Sequence, residues 1–423
     1  MSSLGQRTSE PPISWLMEQA LTHPRLISLA AGFTDNPSLP VTETRAVLAE
    51  LLEDEPGAQT ALQYGKSGGD PRLVRLTAER LQAQDAAALP RKHSLPVTNY
   101  DPGRFLITHG SQQLLYLLME ALCDPGDIVL VEDPTYFVFL GMVQSRGLRC
   151  RGVRMTPEGI DVEHLAFVLE RLRREGELPR VKLLYLVSYA QNPSGITTSL
   201  ANKSAALRLL KRHEPATGHP IYLLEDAAYR DLRFAGAEVA SALTLPGASK
   251  RVIYTSTYSK PYATGIRVGY GVLPSQLAPV VHRLKGNHDF GTSNLLQCLL
   301  AHALDSGRFA SHLTALRRRY AEKASVMGEA LKQHAAGLLE WIEPQGGLYY
   351  WARLRGPGRT GPRSRIFQAA LKRDVLYVPG LLCYADDPTR PKPDTEFRLS
   401  FGGASEEGIC EGIARLARAI RSS

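Results

Sequence analysis

Short apolar runs alternate with helix-like segments between residues 105 and 272, and this alternation constrains the fold more than any other feature of the sequence. The apolar runs lie at residues 105–108, 128–132, 181–187, 221–224, 252–256 and 268–272. Runs of this length between helices are typical of an α/β layer with a mostly parallel sheet. Because ligands of such sheets bind beyond the carboxyl ends of the strands, the residues that follow each run are candidates for a functional site.

The chain after residue 307 follows a different pattern. Apolar residues recur at helical spacing from Arg308 to about Glu340, which predicts one long helix. The remaining residues mix strand-like runs with a helix-like segment at 406–420. This mixture predicts a second, smaller α+β lobe, so the 423 residues are expected to form a two-lobed α/β protein.

Composition excludes several classes of protein. Hydrophobic residues make up 43% of the chain and charged residues 22%, which excludes wholesale disorder and a disulfide-rich miniprotein. No apolar stretch approaches the roughly 18 residues of a membrane helix, and the polar opening of the chain lacks a secretion signal. We therefore expect no membrane contact and a cytoplasmic location. The five cysteines are far apart and form no metal-ligand pattern, so they are expected to be reduced thiols, and no metal site is predicted.

The net charge of +8 would attract anions in general. The basic residues are scattered among acidic ones, and the densest runs, 171–174 and 317–319, lie in helix-like segments where a solvated face explains them. Nucleic acid is therefore not an expected partner.

The first apolar run is followed by Gly110, Ser111 and Gln112, and then by a leucine-rich helical pattern. A strand, a glycine turn and a helix start present free backbone N–H groups to an anion, and the helix dipole adds attraction. A helix cap formed by Ser111 explains the same residues equally well when this segment is considered alone.

A carboxylate and a lysine follow two later runs. Asp226 lies just after the run at 221–224, where burial is costly unless a cation or a hydrogen-bond donor is near. Lys260 follows the run at 252–256. A lysine there is either a surface charge or, when shielded from water and near other cations, a nucleophilic amine with a lowered pKa.

Nine short motifs occur in a fixed order along the chain. They are Gly110-Ser111-Gln112, Asp133-Pro134-Thr135-Tyr136, Asn192-Pro193-Ser194-Gly195, Asp226-Ala227-Ala228-Tyr229, Ser259-Lys260, Gly265-Ile266-Arg267-Val268-Gly269, Pro344-Gln345-Gly346-Gly347, Val378-Pro379-Gly380 and Phe397-Arg398-Leu399-Ser400-Phe401. In this order they resemble the class I/II aminotransferases of pyridoxal-phosphate fold type I. The resemblance runs from about Leu26 to Ile420 and is nearest to the aminoadipate/kynurenine-type enzymes.

The resemblance implies a large domain with a mostly parallel seven-stranded sheet between helices, and a smaller α+β domain built from both termini. The expected division is an N-terminal arm with part of the small domain at 1–45, a large cofactor-binding domain at 46–307 and a C-terminal small domain at 308–423.

The same resemblance implies a role for each residue around pyridoxal phosphate. Lys260 would bind the cofactor aldehyde as an imine and move protons as general base and acid, and Asp226 would keep the pyridine nitrogen protonated. Tyr229 would hydrogen-bond the phenolic oxygen and tune the imine. The full set implied to bind the cofactor is Gly110, Ser111, Gln112, Tyr136, Asn192, Asp226, Tyr229, Thr257, Ser259, Lys260, Arg267 and Tyr64. Tyr64 resembles a tyrosine that reaches the phosphate from the neighbouring subunit, so a homodimer with shared active sites is implied.

Four residues are implied to bind the substrate: Arg398, Asn192, Gly32 and Trp15. Arg398 resembles the arginine that holds the α-carboxylate, a task suited to the two parallel donors of guanidinium. Trp15 lies near the place where this group often carries an arginine for acidic side chains. One interpretation is that Trp15 disfavours a second carboxylate and favours an apolar, aromatic or cationic side chain. The alternative is that Trp15 only packs its helix on the core.

The function implied is amino-group transfer between an L-amino acid and a 2-oxo acid. Relatives with the same residues catalyse cyclisation, elimination or oxidation on the same cofactor, so a cyclase, lyase or oxidase of a specialised biosynthetic pathway is the alternative. A cofactor-sensing transcriptional regulator, the non-enzymatic alternative, is disfavoured because the family resemblance begins within the first thirty residues.

Overall fold

The computed structural model describes residues 1–23, 25–90 and 92–423, without the side chains of Ile13, Met17, Ala20 and Leu21. The strands are β1 Ile27–Ser28, β2 Phe105–Thr108, β3 Ile128–Asp133, β4 Arg149–Thr156, β5 Gly159–Ile160, β6 Val181–Val187, β7 Tyr222–Asp226, β8 Val252–Thr257, β9 Gly269–Val272, β10 Leu339–Ile342, β11 Tyr349–Leu354, β12 Val375–Leu376, β13 Val378–Pro379 and β14 Glu396–Ser400. The α-helices are α1 Ser3–Arg7, α2 Pro12–Thr22, α3 Val41–Glu53, α4 Glu55–Leu62, α5 Pro71–Ala88, α6 Gly110–Leu122, α7 Phe137–Ser145, α8 Val162–Arg174, α9 Leu200–Thr217, α10 Ala248–Arg251, α11 Ala278–Asp289, α12 Asn294–Asp305, α13 Arg308–Ala335, α14 Arg365–Leu371 and α15 Glu406–Arg421.

The large sheet has the strand order β2-β9-β8-β7-β6-β3-β4-β5. Its central pairs are parallel, whereas β9 is antiparallel to both β2 and β8. The prediction of a mostly parallel α/β sheet is confirmed, but the sheet has eight strands rather than seven. The additional strand is the two-residue β5, which turns back on the end of β4 as an antiparallel pair.

All six apolar runs form strands of this sheet, and β3, β7 and β8 extend one or two residues beyond the runs. Their last residues are Asp133, Asp226 and Thr257, so these polar side chains belong to the strand ends rather than to the following loops. The sequence pattern missed β4, because its arginines and partly exposed positions interrupt the apolar run that marks the central strands.

The smaller antiparallel sheet has the order β10-β11-β14-β13. The long helix α13 ends at Ala335 rather than near 340, because the chain enters β10 at Leu339, and α15 matches the helix expected at 406–420. Strands β1 and β12 pair in parallel, with Ile27 opposite Val375, so segments from both ends of the chain join in one element. The domain boundaries at residues 45 and 307 stay predictions.

The strands β2, β3, β7, β8 and β9 are buried along their whole length, which explains why the sequence shows them as continuous apolar runs. All five cysteines are free. None of the helices in the described ranges is long and apolar enough to cross a membrane.

A buried ion pair between Lys323 and Asp35 connects α13 with the segment that follows β1. Lys323 is fully buried, and its Nζ donates to Oδ1 of Asp35 and to the carbonyl oxygen of Gly402, both at 2.7 Å. The Lys323 ammonium and the Ser38 hydroxyl keep the pKa of Asp35 below its usual value, although burial opposes them. Arg319 is a second cation near this carboxylate, at 3.4 Å.

We predict that Lys323→Met lowers the free energy of unfolding by about 3 kcal/mol, because the Asp35 carboxylate would stay buried with Arg319 alone as its cation. Urea unfolding of the purified protein measures the change. Lys332→Met is the matched control, since Lys332 forms an exposed pair with Glu329 on the same helix and its loss should leave stability nearly unchanged. Equal effects of the two substitutions would contradict a special role of the buried pair.

Candidate active site

A cavity of about 140 Å³ lies at the carboxyl ends of the central strands. The ends of β6, β7 and β8, the start of α6 and the loop after β3 all border it. The lining residues are Ser111, Gln112, Tyr136, Tyr185, Val187, Asn192, Asp226, Ala228, Tyr229, Thr257, Ser259, Lys260, Thr264 and Arg267. The lining contains ten of the twelve residues predicted to bind the cofactor, and Lys260 is one of the ten. The other two, Gly110 and Tyr64, lie outside the lining.

The Asp226 carboxylate ends β7 and is almost fully buried. It accepts hydrogen bonds from Tyr185 Oη at 2.9 Å and from the Ala228 backbone N–H at 3.0 Å. Burial raises the pKa of Asp226 to about 6, although these two hydrogen bonds oppose the rise. Such a carboxylate would bind a cationic or N–H donor placed in the cavity.

The Lys260 side chain is partly buried in the loop that follows β8. Its Nζ donates to the carbonyl oxygen of Gly32 at 2.9 Å. Burial lowers the pKa of Lys260, and the nearby Arg398 and Arg267 guanidinium groups lower it further. A lysine with a lowered pKa is more often neutral, and a neutral amine can act as a nucleophile.

Asn192 joins two other predicted residues. Its Oδ1 accepts a hydrogen bond from Arg398 Nη1 at 2.6 Å, and its Nδ2 donates to Tyr229 Oη at 3.5 Å. Arg398 also donates from Nη2 to the carbonyl oxygen of Ala30, and its guanidinium lies 4.1 Å from the centre of the Tyr349 ring. The Arg398 Nε atom is buried and has no hydrogen-bond partner among the described residues.

The start of α6 and the Arg267 loop form a close-fitting cradle. Gly110 has a φ of +69°, and a Cβ atom there would lie 2.7 Å from Arg267 Nη2. A Cβ atom at Gly269 would lie 2.5 Å from the backbone nitrogen of Ser111, so both positions require glycine. Ser111 is the second residue of α6 and does not cap it, because the cap position is held by His109. Arg267 Nη1 donates to Ser259 Oγ at 3.1 Å.

The family model for aminotransferase class I and II matches residues 24–416. The chain belongs to this family. It is 30% identical to aromatic-amino-acid aminotransferase 1 of Thermococcus litoralis, over 99% of this chain and 93% of that protein.

Several solved aminotransferase structures cover the whole of this chain, and two of them hold the cofactor or a cofactor–amino-acid adduct. One is a kynurenine aminotransferase of Pyrococcus horikoshii in complex with PMP, at 28% identity and a TM-score of 0.88 over 97% of that chain. The other is an α-aminoadipate aminotransferase of Thermus thermophilus complexed with N-(5'-phosphopyridoxyl)-L-leucine, at 29% identity and a TM-score of 0.83 over 97% of that chain. This aminotransferase is therefore a fold type I enzyme that uses pyridoxal phosphate to transfer amino groups.

The residues of the aminotransferase cavity fit pyridoxal phosphate on two observations. Asp226 is a buried carboxylate that pairs with no cation of the residues that the structure describes, and a protonated pyridine nitrogen would supply one. The glycine-shaped cradle at Gly110 and Gly269 brings the first backbone N–H groups of α6 next to Arg267, which is the donor set that a phosphate needs. Thr257 lines the cavity, but its hydroxyl donates to the Val268 carbonyl oxygen.

Four predicted residues lie outside the cavity lining, in addition to Gly110. Gly32 and Arg398 border it through their contacts with Lys260 and Asn192. Tyr64 is 83% exposed and packs edge-to-face against Phe290, at a ring distance of 5.3 Å. Trp15 stacks on Phe367 with ring centres 5.7 Å apart, which is the packing that the alternative interpretation describes.

Three residues of the aminotransferase site were missed from the sequence. Tyr185 lies inside the apolar run of β6, where nothing distinguishes it from a core tyrosine. Tyr349 follows the Pro344–Gly347 motif, and its hydroxyl lies 3.0 Å from that of Tyr229. Glu132 precedes the Asp133 motif and is fully buried. Burial raises the pKa of Glu132 to about 8, although hydrogen bonds from Gln191 and the Val187 backbone N–H act to lower this pKa.

We predict that Asp226→Asn stabilises the cofactor-free protein in a pH-dependent way. The pKa of Asp226 in the folded protein, about 6, lies above the usual aspartate value of 3.8, so the folded protein binds the extra proton and wild-type stability falls as the pH rises from 4 to 6. Asparagine mimics the protonated acid, so the variant should gain up to about 3 kcal/mol above pH 6 and almost nothing near pH 4.

Urea unfolding between pH 4.5 and 7.5 measures this difference. With pyridoxal phosphate bound, the wild-type protein should be more stable than the variant, because only the carboxylate can pair with a cation in the cavity. A stability difference that does not change with pH would contradict a raised pKa of Asp226.

Proposed function

We propose that Lys260 is the residue that links covalently to pyridoxal phosphate and moves protons during amino-group transfer. The observation that carries this proposal is the position of its amine, which borders the same cavity as the Asp226 carboxylate and has a lowered pKa. Lys203, Lys285 and Lys323 are also buried, but their amines contact the carboxylates of Glu225, Asp289 and Asp35. Within the described ranges, Lys260 donates only to a neutral carbonyl oxygen, so its amine is the one available for chemistry.

When bound, pyridoxal phosphate supplies an aldehyde that accepts an amine and a ring that withdraws electrons from the substrate Cα. Asp226 would hold the pyridine nitrogen in its protonated form, and Tyr185 and Ala228 would keep the carboxylate in place. Lys260, once free, would take the proton from the substrate Cα and return it to the cofactor.

The remaining cavity residues would orient the cofactor. Tyr229 and Asn192 would donate to its phenolic oxygen, and Tyr136 would pack against its ring. The phosphate would lie in the cradle of Gly110, Ser111, Gln112, Ser259 and Arg267, with Thr257 at its edge.

Arg398 would bind the substrate α-carboxylate. Its guanidinium is held between Asn192, the Ala30 carbonyl oxygen and the Tyr349 ring, while Nε has no partner among the described residues. A buried guanidinium without a carboxylate partner is costly, and a substrate carboxylate would supply the missing charge. Gly32 borders the same space, since a Cβ atom there would lie 2.6 Å from Tyr349 Oη.

We predict that sodium borohydride reduction of the cofactor-bound enzyme fixes a pyridoxyl group on Lys260. Peptide mapping by mass spectrometry should find the label on the peptide that contains Lys260. Lys203 and Lys323 are internal controls, because both are buried but paired with carboxylates. Labelling at either of them instead of Lys260 would refute the assignment, and Lys260→Ala should remove both the label and turnover.

For the amino donor, we propose an apolar, aromatic or cationic side chain. Of the described residues that line the cavity, the cations are Lys260 and Arg267, and neither is free to bind a second substrate carboxylate if it serves the cofactor. The surrounding rings of Tyr136, Tyr229 and Tyr349 favour an apolar partner. The relative from Thermococcus litoralis is named for aromatic amino acids, which supports this class.

We predict that phenylalanine, tyrosine, kynurenine or leucine is a better donor than 2-aminoadipate or glutamate by at least about tenfold in kcat/KM, because a second carboxylate would lose its solvation without a partner. Mass spectrometry of 2-oxo acid products, with pyruvate or 2-oxoglutarate as acceptor, measures the preference. If 2-aminoadipate and glutamate had the highest kcat/KM of the donors tested, this proposal would be contradicted, while the assignment of Lys260 would be unaffected.

We also propose a homodimer with shared active sites. Tyr64, Leu62 and Phe290 form an exposed apolar patch, and a cavity lined by Gly291, Gln112 and Arg267 connects this region with the cradle. Exposed patches of this kind mark interaction surfaces. Tyr64 of one copy would thus reach the phosphate of the other. The cytoplasmic location stays a prediction.

A further inference from the structure

Tyr349 holds a central place in the site although no motif marks it. It is the first residue of β11, opposite Ser400 of β14, and the register pairs Trp351 with Arg398. Residues two positions apart on a strand share a face, so Tyr349 and Arg398 are diagonal neighbours on the same face of the small sheet. This arrangement places the Tyr349 ring 4.1 Å from the Arg398 guanidinium and directs its hydroxyl toward Tyr229.

The hydroxyl groups of Tyr349 and Tyr229 lie 3.0 Å apart, and either could be the donor in the isolated pair. A hydroxyl has one proton. If Tyr229 gives its proton to the cofactor, as the proposed function requires, the proton in the Tyr229–Tyr349 hydrogen bond must come from Tyr349. In the described part of the chain, Tyr349 Oη has no other hydrogen-bond partner that would compete for it.

Tyr229 is well placed to transmit the effect of the hydrogen bond from Tyr349 to the cofactor. Its hydroxyl accepts from Asn192 Nδ2 as well as contacting Tyr349, and a hydroxyl that accepts hydrogen bonds becomes a stronger donor. Burial raises the pKa of Tyr229 well above its usual value, so its proton is retained. Tyr136 and Arg398 are the other titratable or charged groups that act most on Tyr229, and Asp226, Lys260 and Arg267 line the same cavity.

We propose that Tyr349 is a positioning residue for the transfer reaction, whose hydroxyl donates to Tyr229 and strengthens the hydrogen bond from Tyr229 to the phenolic oxygen of the cofactor. This inference rests on the proposed role of Tyr229. It gives the small sheet a direct influence on the cofactor, because Tyr349 belongs to β11 and Tyr229 follows β7 of the large sheet.

The test is a pH titration of the visible absorbance of the bound cofactor. Negative charge on the phenolic oxygen is greatest in the deprotonated form of the bound cofactor, so a weaker donor moves the midpoint of the titration to higher pH. We expect Tyr229→Phe to raise the midpoint by roughly 1 pH unit. Tyr349→Phe should raise the midpoint by roughly 0.3 pH unit, because this variant loses only the hydroxyl that strengthens the hydrogen bond from Tyr229 to the phenolic oxygen. The phenylalanine ring would still pack against Arg398.

Tyr350→Phe is the matched control. Tyr350 is the next residue of β11 and is equally buried, but its hydroxyl lies on the other face, 2.8 Å from the Ala324 carbonyl oxygen and from Glu343. Its removal should change stability and leave the absorbance midpoint unchanged. In the Tyr229→Phe background, Tyr349→Phe should cause no further shift.

The outcomes separate this inference from the function on which it rests. A shift with Tyr229→Phe and none with Tyr349→Phe overturns the inference and leaves the role of Tyr229 intact. No shift with either variant refutes the role of Tyr229 and the inference with it. An equal shift from Tyr349→Phe with and without the Tyr229 hydroxyl also overturns the inference, because the effect would then not pass through Tyr229.

Discussion

The burial of the Asp226 carboxylate at the end of a central strand is the constraint on which the site depends. A carboxylate in this position is unfavourable without a cation, and hydrogen bonds from Tyr185 and the Ala228 backbone only partly offset the loss of solvation. The cost falls at the carboxyl end of a strand, which is where sheets of this kind bind their ligands. A protonated cofactor ring bound as proposed would supply the cation that compensates the buried charge.

A second buried acid, Glu132, connects the loop after β3 with the loop after β6 close to Asp226. Glu132 accepts hydrogen bonds from Gln191 Nε2 at 2.7 Å and from the Val187 backbone N–H at 2.8 Å. Gln191 Nε2 also lies 3.0 Å from the Pro134 carbonyl oxygen, so one amide joins the loop that carries Tyr136 to the loop that carries Asn192. Because burial raises the pKa of Glu132 to about 8, the acid is largely neutral at pH 7 and adds little negative charge beside Asp226.

Much of this arrangement could be predicted from the sequence, for a physical reason. Strands buried on both faces are continuous apolar runs, so β2, β6 and β8 were located almost to the residue, and the side chains at their ends followed from topology. The strand β4 was missed because its alternating exposure mixes arginines into the run. The motifs also predict the roles of Lys260 and Asp226, since each of these residue types has a distinct chemical role, and the structure brings both side chains to one cavity.

Tyr185, Tyr349 and Trp15 illustrate why the rest could not be predicted. A tyrosine in a strand is an ordinary core residue in sequence, and only three-dimensional contact shows that the hydroxyl of Tyr185 reaches Asp226. Two interpretations of Trp15 stay open in sequence because its stacking on Phe367, more than 350 positions away along the chain, has no local signature.

The active site is assembled from three parts of the chain that are distant in sequence. Gly32 comes from the N-terminal segment, Tyr349 from the small sheet, and Lys260 from the loop after β8. Lys260 Nζ donates to the Gly32 carbonyl oxygen, and a Cβ atom at Gly32 would lie 2.6 Å from Tyr349 Oη. A side chain at position 32 would therefore displace the Tyr349 hydroxyl. Glycine at this position lets the backbone approach both residues closely, so the hydrogen bond from Lys260 and the present position of the Tyr349 hydroxyl both depend on the small size of residue 32.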